Sequence, residues 1–306
     1  MFNQSLSQAY FASSRFLSSA ILVLAAALST SAFLPGCSPT SPSLVPAAVT
    51  DFEILVATPH GALLHWTAPA VVAGAEPIGY DIRYATSPMN NTQDWNNATI
   101  VENVPTPADP GTPQQMEITG LQPRTEYYIS MRVIGRLHIM SRFSAQHEVL
   151  TGDSTILDQY TLQDVDGNSH SSSEWLGHRL IVLNFWAVWC HYCVQEMPDL
   201  SQLYSLYRDS GVVLIGLDCG DDTTTLQNFL TTNNITWPNL VASSDIYGAY
   251  GISGIPTTVF LDSNGVELGV RVGKGSFDTY RIAVSHFLSR NVSAANSTGQ
   301  IAAEGY

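Results

Sequence analysis

The sequence predicts two successive folded domains, an all-β sandwich over residues 47–152 and an α/β domain with a mixed sheet over residues 153–290. Two patterns point to this architecture. The first region contains short alternating runs of polar and apolar residues between turn residues, which is typical of an antiparallel sandwich. The second region alternates apolar, strand-like runs with helical patterns, which favours a sheet that is covered by helices on both faces.

The strands of the first domain are predicted at residues 51–57, 61–67, 80–85, 100–104, 115–119, 126–133 and 148–151. Tyr80, Ile82 and Tyr84 alternate along the third strand, as residues that face one core do, and Trp66 on the second can join them. The histidines of this region share no spacing with acids or cysteines that would indicate a catalytic site. We therefore expect this domain to be dispensable for chemistry and to bind partners or act as a spacer.

One segment of this region indicates the type of sandwich. The run from Leu121 to Tyr127 resembles a corner of fibronectin type III domains, in which a tyrosine hydroxyl bonds back to the backbone. The resemblance implies a fibronectin type III-like sandwich over residues 47–152, with Trp66 and Tyr127 as packing residues.

The second domain is predicted to open with a hairpin, because an Asp-Gly pair lies between extended runs over residues 160–168. Its first central strand is the apolar run Leu180–Trp186, whose composition suits a strand buried on both faces. Further strands are expected at 212–218, 257–261 and 266–272, with helices at 190–208, 224–233, 245–250 and 277–288. Residues 291–306 show little apolar periodicity, which predicts a disordered tail.

A pair of cysteines follows the central strand, after a short turn. Cys190 and Cys193 lie in the first turn of the predicted helix, on one face and close enough to bridge. Free backbone N–H groups and the positive end of the helix dipole favour a thiolate at the first of them. The pattern predicts a redox pair, with Cys190 as the nucleophile and Cys193 as the resolving thiol.

The same spacing occurs in zinc sites, which are the alternative for such a pair. A structural zinc needs four ligands, usually from a second pair of Cys or His at short spacing. The only other cysteines are Cys37 and Cys219, and no second pair follows. We therefore predict no metal and no cofactor other than the redox-active disulfide, and we expect Cys219 to be a buried cysteine at the end of a strand.

Two motifs of this region resemble the thioredoxin superfamily. One is Phe185-Trp186-Ala187-Val188-Trp189-Cys190 with Cys193 and Pro198, and the other is the segment 251–257, which is similar to the cis-proline segment of that fold. Asn184, in place of a buried aspartate, and Glu196 resemble the TlpA/ResA branch of extracytoplasmic thiol–disulfide oxidoreductases. The resemblance covers residues 153–290 and implies disulfide exchange with protein cysteines, more often as a reductase, supplied by a membrane or periplasmic thiol electron donor.

Further site residues follow from this resemblance. Pro256 is expected in the cis form, facing the cysteines, and the backbone of Ile255 is expected to hold a substrate strand. Trp189 is expected to border the site, with a place in the core as the alternative.

Two charged or titratable residues are expected to act on the pair in opposite directions. A protonated His191 would stabilise the Cys190 thiolate, unless the side chain is merely solvated. A buried Glu196 would disfavour a neighbouring thiolate or accept its proton, unless it is a glutamate on the helix surface. The redox direction therefore stays open.

The first 37 residues are predicted to be a targeting segment. Arg15 precedes an apolar run over residues 16–28, and Leu34-Pro35-Gly36-Cys37 closes it. This ending resembles a bacterial lipobox, which implies a lipid anchor on Cys37 and a chain outside the cytoplasm, in the periplasm or cell envelope. An ordinary cleaved signal peptide and an uncleaved anchor are the alternatives. Residues 38–46, rich in Ser and Pro, are expected to form a linker.

Composition excludes one class of partner. The net charge of −14 argues against nucleic acid and against electrostatic binding to an anionic membrane. Two other functions stay open: a binding or surface-organising protein that uses the thioredoxin-like domain as a scaffold, and a thiol peroxidase. A scaffold needs neither thiol, and peroxiredoxins carry a threonine or serine three residues before the reactive cysteine, where this chain has Ala187.

Overall fold

The computed structural model describes residues 44–152 and 160–303, with side chains described up to Arg290. The predicted signal peptide over 1–37, its Cys37 and most of the linker over 38–46 lie outside the described residues. Among the helices of the described part, none combines the length and the apolar character that crossing a membrane requires.

The first domain is a sandwich of two antiparallel sheets, as predicted. Its strands are β1 (Glu53–Thr58), β2 (Gly61–Thr67), β3 (Pro77–Ala85), β4 (Thr99–Ile100), β5 (Pro113–Thr119), β6 (Glu126–Gly135) and β7 (His147–Leu150). The sheet β4-β3-β6-β7 packs on the sheet β5-β2-β1. Trp66 is fully buried and meets Tyr80 edge to face, and Gln122 N donates to the hydroxyl of Tyr127 at 3.1 Å, which confirms the predicted tyrosine corner.

The second domain follows the predicted order of strands and helices. Its strands are β8 (Thr161–Asp164), β9 (Ser169–Ser171), β10 (Leu180–Trp186), β11 (Val212–Asp218), β12 (Asn239–Val241), β13 (Thr257–Leu261) and β14 (Glu267–Val272). Its helices are α2 (His191–Tyr207), α3 (Thr223–Thr232), α4 (Ser244–Ala249) and α5 (Phe277–Ala303). All seven residues of β10 are buried, as expected for an apolar strand at the centre of a sheet that is covered on both faces.

The two domains share one continuous sheet of ten strands, in the order β5-β2-β1-β14-β13-β10-β11-β12-β8-β9. Strands β10, β11 and β12 run parallel, while β13 and β14 are antiparallel additions on the other side of β10. The connection between the domains is the antiparallel pair β1–β14, where Ala57 lies opposite Val270. The sequence did not predict this pairing, because edge-to-edge contact between two domains leaves no local pattern.

The domains also share an apolar core. Leu55, Val56 and Leu63 of the sandwich belong to the same buried cluster as Phe260 and Phe287 of the second domain. This cluster also holds the buried faces of α2 and α5 against the sheet. The sandwich is therefore packed into the interior of the domain that carries the cysteine pair.

Three elements differ from the predictions. A short helix α1 (Thr92–Asn97) was not expected; Asn91 caps it by accepting hydrogen bonds from Gln93 N and Asp94 N. Strand β12 is too short to leave a pattern in the sequence. Helix α5 continues to Ala303, so the disordered tail predicted for residues 291–306 is corrected over most of its length. No proline interrupts this segment, and an existing helix adds residues without the cost of a new nucleus.

Candidate active site

The cysteine pair lies where the central strand passes into helix α2. Cys190 is the N-cap residue of the helix, and its sulfur accepts a hydrogen bond from Cys193 N at 3.2 Å. The two sulfurs form a disulfide. Cys190 keeps 7% of its surface exposed and Cys193 none, so an incoming thiol or disulfide can reach only the first. This difference and the helix start both suit Cys190 as the nucleophile.

The predicted cis-proline segment faces the disulfide. The peptide bond between Ile255 and Pro256 is cis, as expected. The carbonyl oxygen of Ile255 lies 3.7 Å from the Cys190 sulfur, and Pro256 itself is buried. A half-buried backbone segment beside the reactive sulfur is positioned to pair with an extended peptide, although the binding role of both residues stays a prediction.

Two exposed aromatic residues lie close to Cys190 in the chain. Trp189 is 65% exposed, which excludes the alternative that it belongs to the core. Tyr192, between the two cysteines, is 62% exposed; sequence reasoning missed it, although its place in the motif was a signal. His191 is also exposed, with its Nε2 at 2.8 Å from Nε2 of Gln195. Its predicted redox-tuning role stays a prediction.

Glu196 lies one helical turn beyond Cys193 and is fully buried, so the alternative of a surface glutamate is wrong. Its Oε1 accepts a hydrogen bond from Asn184 Nδ2 at 3.0 Å. Its Oε2 accepts one from the hydroxyl of Tyr280 at 2.7 Å and one from Gly275 N at 3.1 Å. Burial raises the pKa of Glu196 above its ordinary value, against the opposing effect of these three donors.

The surroundings of Glu196 are built across three strands. Asn184 on β10 lies opposite Thr258 on β13, and Thr258 lies opposite Arg271 on β14. Asn184 Nδ2 also donates to Thr258 Oγ1 at 3.1 Å, which fixes the amide for its bond to Glu196. The positive charge of Arg271 lowers the pKa of Glu196, in opposition to burial. The glutamate is therefore a buried acid with a defined set of donors and one nearby cation.

Two neighbouring acids, Asp218 and Asp221, lie next to the turn that carries Trp189. Asp221 Oδ2 accepts a hydrogen bond from the backbone N–H of Val188. The fully buried Asp218 accepts bonds through Oδ2 from Gly220 N and Asp221 N. Burial, and next the neighbouring Asp221 carboxyl, raise the pKa of Asp218 to about 7.

Cys219 lies beside this pair but is no second reactive thiol. It is half-buried, and burial raises the pKa of its thiol to about 11. Within residues 44–152 and 160–303, no three His, Cys, Asp or Glu side chains come together as a metal site would require.

The structure places the Cys190–Cys193 disulfide beside the Ile255 carbonyl, with Glu196 buried one helical turn beyond Cys193; the catalytic and binding roles of these residues stay predictions. Sequence reasoning missed the groups that hold Glu196 and the turn before Cys190: Tyr280, Gly275, Arg271, Asp218 and Asp221. The one available signal was the polar run that ends an apolar strand at Asp218.

Comparison with known proteins agrees with this division of the chain. Residues 47–147 match the model of the fibronectin type III domain, and residues 155–266 match that of the AhpC/TSA family. The thiol-disulfide oxidoreductase ResA of Geobacillus thermodenitrificans (strain NG80-2) is 30% identical over 128 residues, which cover 42% of this chain and 72% of that protein. The chain belongs to the ResA family of thiol–disulfide oxidoreductases. ResA of Geobacillus kaustophilus (strain HTA426) matches with the same identity and coverage.

A solved structure also matches the ResA-like region. A thiol:disulfide interchange protein of the thioredoxin family from Chlorobium tepidum TLS is 27% identical and superposes with a TM-score of 0.41. The match covers 44% of this chain and 97% of that chain. The ResA relatives align with less than half of this chain.

Proposed function

We propose that this member of the ResA family is a membrane-tethered enzyme outside the cytoplasm that reduces disulfides in other proteins. The observation that carries the proposal is the Cys190–Cys193 disulfide at the start of α2, opposite the Ile255 carbonyl and one turn before the buried Glu196. The exposed Trp189 and Tyr192 beside Cys190 support a protein substrate, because an extended peptide can pair with the backbone of Ile255 and pack on these rings.

The reaction proceeds in two exchanges. In the reduced enzyme, the Cys190 thiolate attacks one sulfur of a substrate disulfide; a mixed disulfide forms, and the other substrate sulfur leaves as a thiolate. Cys193 then loses its proton and attacks the Cys190 sulfur. The enzyme disulfide forms and the second substrate thiolate leaves, so that the substrate gains the two electrons that the cysteine pair loses. A membrane or periplasmic dithiol electron donor restores the reduced pair by the reverse exchange.

Glu196 is proposed as the proton acceptor for Cys193. Both side chains are fully buried, so water cannot take the proton directly, and three-residue spacing places them on one face of α2. The raised pKa of Glu196 brings this carboxyl closer to the range in which it can both take up and release a proton.

The reducing direction is supported by the same burial. A dithiol is a strong reductant when its thiolate form is not stabilised, and an oxidant when its reduced form is stabilised. A buried carboxylate near Cys193 opposes formation of a second negative charge. The exposed His191 lies against Gln195, on the outer side of the helix, and offers the pair little compensation.

Turnover of a protein disulfide tests the proposal. The full chain is expected to reduce insulin with a dithiol as electron source, and Cys190→Ser is expected to abolish the reaction. Cys193→Ser is expected to accumulate a mixed disulfide that gel electrophoresis without reductant detects. If Cys190→Ser reduces insulin as fast as the unchanged chain, the cysteine pair is not the site and a scaffold function is favoured instead. Consumption of peroxide without reduction of insulin would favour the peroxidase alternative, which the buried Ala187 in place of a hydroxyl residue disfavours.

A further inference from the structure

One arginine of the redox domain bonds directly to the backbone of the sandwich at their junction. Strands β1 and β14 have a single pair of opposed residues, Ala57 and Val270. Beyond this pair, β1 is bonded by a side chain instead of a backbone partner. Arg271 Nη1 donates to the carbonyl oxygens of Ile54 at 3.1 Å and Leu55 at 3.0 Å. A side chain of the redox domain is therefore fixed by the backbone of the sandwich.

The sandwich strand has an irregularity that suits this contact. Consecutive carbonyl groups of a regular strand point to opposite edges, so one nitrogen cannot bond both. Strand β1 shifts register between Ile54 and Val56 in its pairing with β2, which makes Leu55 the extra residue of a β-bulge. Bulges re-aim backbone groups, and this one presents two successive carbonyls to the same guanidinium.

The second terminal nitrogen of the Arg271 guanidinium bonds to the turn after β14. Its Nη2 donates to the carbonyl oxygen of Lys274 at 2.8 Å. In the same turn, Gly275 N donates to Glu196 Oε2 at 3.1 Å, and Gly273 N donates to the carbonyl of Pro256 at 2.8 Å. One turn is thus bonded to the buried glutamate and to the cis-proline segment, which are the two sides of the redox site.

Packing and a side-chain contact hold the second half of this turn. A Cβ atom on Gly275 would lie 2.5 Å from the Tyr280 ring. Lys274 Nζ lies 3.3 Å from Gln195 Oε1 on helix α2, so the turn has a third contact near the site. We therefore expect a displacement of Arg271 to move the Gly275 N–H as well.

We propose that Arg271 is a positioning residue of the redox site, and that strand β1 of the sandwich holds it there, so that the fibronectin-like domain acts on the cysteine pair through Glu196. The proposal rests on the proton-acceptor role of Glu196 given above. It contradicts the expectation that the sandwich is dispensable for chemistry.

Three of the elements around Glu196 carry charged or titratable groups next to it, and two carry neutral ones. Arg271 comes from β14, Tyr280 from α5 and Cys193 from α2 itself, while β10 and β13 contribute the neutral Asn184 and Thr258. Of these groups only Arg271 is cationic. Its removal takes away the nearby positive charge and loosens the Gly275 donor, and both changes favour the protonated carboxyl.

The first experiment measures the pH dependence of mixed-disulfide resolution in a single turnover of the full chain. Arg271→Met is expected to move the midpoint to higher pH by about one unit, since a nearby opposite charge lowers a carboxyl pKa by about that much or more. In a Glu196→Gln background the same change is expected to have no further effect. An equal shift in both backgrounds, or no shift in either, would overturn the proposal.

Glu117→Gln is the matched control at the same junction. Glu117 on β5 accepts a bond from Arg290 Nη1 at 2.7 Å and lies 3.5 Å from His286 Nε2, so its loss weakens the contact between the domains without touching Arg271. The midpoint is expected to stay unchanged in this variant. A shift equal to that of Arg271→Met would show that any loosening of the junction suffices, and would remove the specific role of Arg271.

A change on the sandwich side tests whether β1 is the cause. Deletion of Leu55 removes the bulge while the pairs Ile54–Leu64 and Val56–Leu63 can persist, and it is expected to shift the midpoint as Arg271→Met does. Leu55→Ala loses the same buried side chain but keeps both carbonyls, and it is expected to leave the midpoint in place. Equal midpoints in the two variants would exclude control by the bulge.

Hydrogen exchange gives a second measurement if the deletion prevents folding. Arg271→Met is expected to speed amide exchange in β1 and in the turn around Gly275, relative to β6. Unchanged exchange in β1 would refute the link to the sandwich. These outcomes differ from failure of the proposed function: there, the unchanged chain does not reduce insulin, or Glu196→Gln alone leaves the pH profile unmoved.

Discussion

Tyr280 on α5 donates its hydroxyl hydrogen to Glu196 on α2 across 2.7 Å, and neither side chain reaches solvent. Burial raises the pKa of Tyr280, so the hydroxyl remains a donor at any pH at which the protein works. The charge state of Glu196 is therefore coupled to the packing of the last helix against the helix that carries the cysteines.

Tyr280→Phe is expected to raise the pKa of Glu196 further and to lower the free energy of unfolding by about 1–3 kcal/mol, because a buried bond to a charged group is lost. Urea denaturation measures the stability, and the pH profile of thiol alkylation measures the effect on the pair. Tyr207→Phe is the control, since its hydroxyl joins the same two helices at an exposed place, 2.9 Å from Ser285 Oγ. Equal losses in both variants would contradict a special role for the buried bond.

Glu196→Gln is expected to lower the apparent pKa of the thiols by roughly one unit, because a buried negative charge near them is removed. The same change removes the proton acceptor, so resolution of the mixed disulfide is expected to slow while thiolate becomes more abundant. Alkylation across pH and a single-turnover assay measure the two effects. Asp199→Asn, which removes a carboxylate from the same helix, serves as the control. If both variants give the same alkylation and turnover curves, Glu196 has no special role in the reaction.

Asp218→Asn is expected to be neutral near pH 4 and stabilising near pH 8. The pKa of Asp218 is raised to about 7 in the folded state, so its stabilising effect is fully present below the unfolded value of 3.8 and is lost as the pH rises through about 7. Asparagine mimics the protonated acid at every pH, so the variant is expected to have a free energy of unfolding higher by on the order of 1 kcal/mol or more at pH 8. Urea denaturation from pH 4 to 8 tests this, and parallel curves for the two proteins would refute it.

Cys37→Ala is expected to release the protein from the detergent phase in a detergent-partitioning experiment, since the Leu34-Pro35-Gly36-Cys37 ending predicts lipid on that cysteine. Metabolic labelling with a fatty acid would show the modification directly. If the unchanged protein and the variant partition alike, Cys37 is not the anchor, and a cleaved signal peptide or an uncleaved anchor remains.

Local patterns were enough to predict most strands and the cysteine pair, because alternation along Tyr80, Ile82 and Tyr84 and the spacing of Cys190 and Cys193 involve residues close together in the chain. The cis peptide bond before Pro256 was expected only from the resemblance of its segment to the thioredoxin superfamily. Even the burial of Glu196 was one of two alternatives that the helical spacing allowed.

The contacts that the sequence did not predict join residues far apart in the chain. Tyr280 reaches Glu196 across 84 positions of the chain, and Arg271 reaches Ile54 across 217. Neither arginine nor tyrosine lies in a motif, so only the packed fold reveals which atoms they meet. The bulge at Leu55 was equally hard to predict, because β1 is apolar from Ile54 to Ala57 and shows no alternation that an extra residue would interrupt.

The shared core also limits how freely this sandwich can be exchanged. Leu55, Val56 and Leu63 are interior residues for the redox domain, beside Phe260 and Phe287. A different fibronectin-like module grafted in its place would have to supply three apolar side chains of matching shape, or leave a void in the neighbouring core. The sandwich is in this sense an integral part of the enzyme rather than an interchangeable module, and recombination at the junction would carry a stability cost.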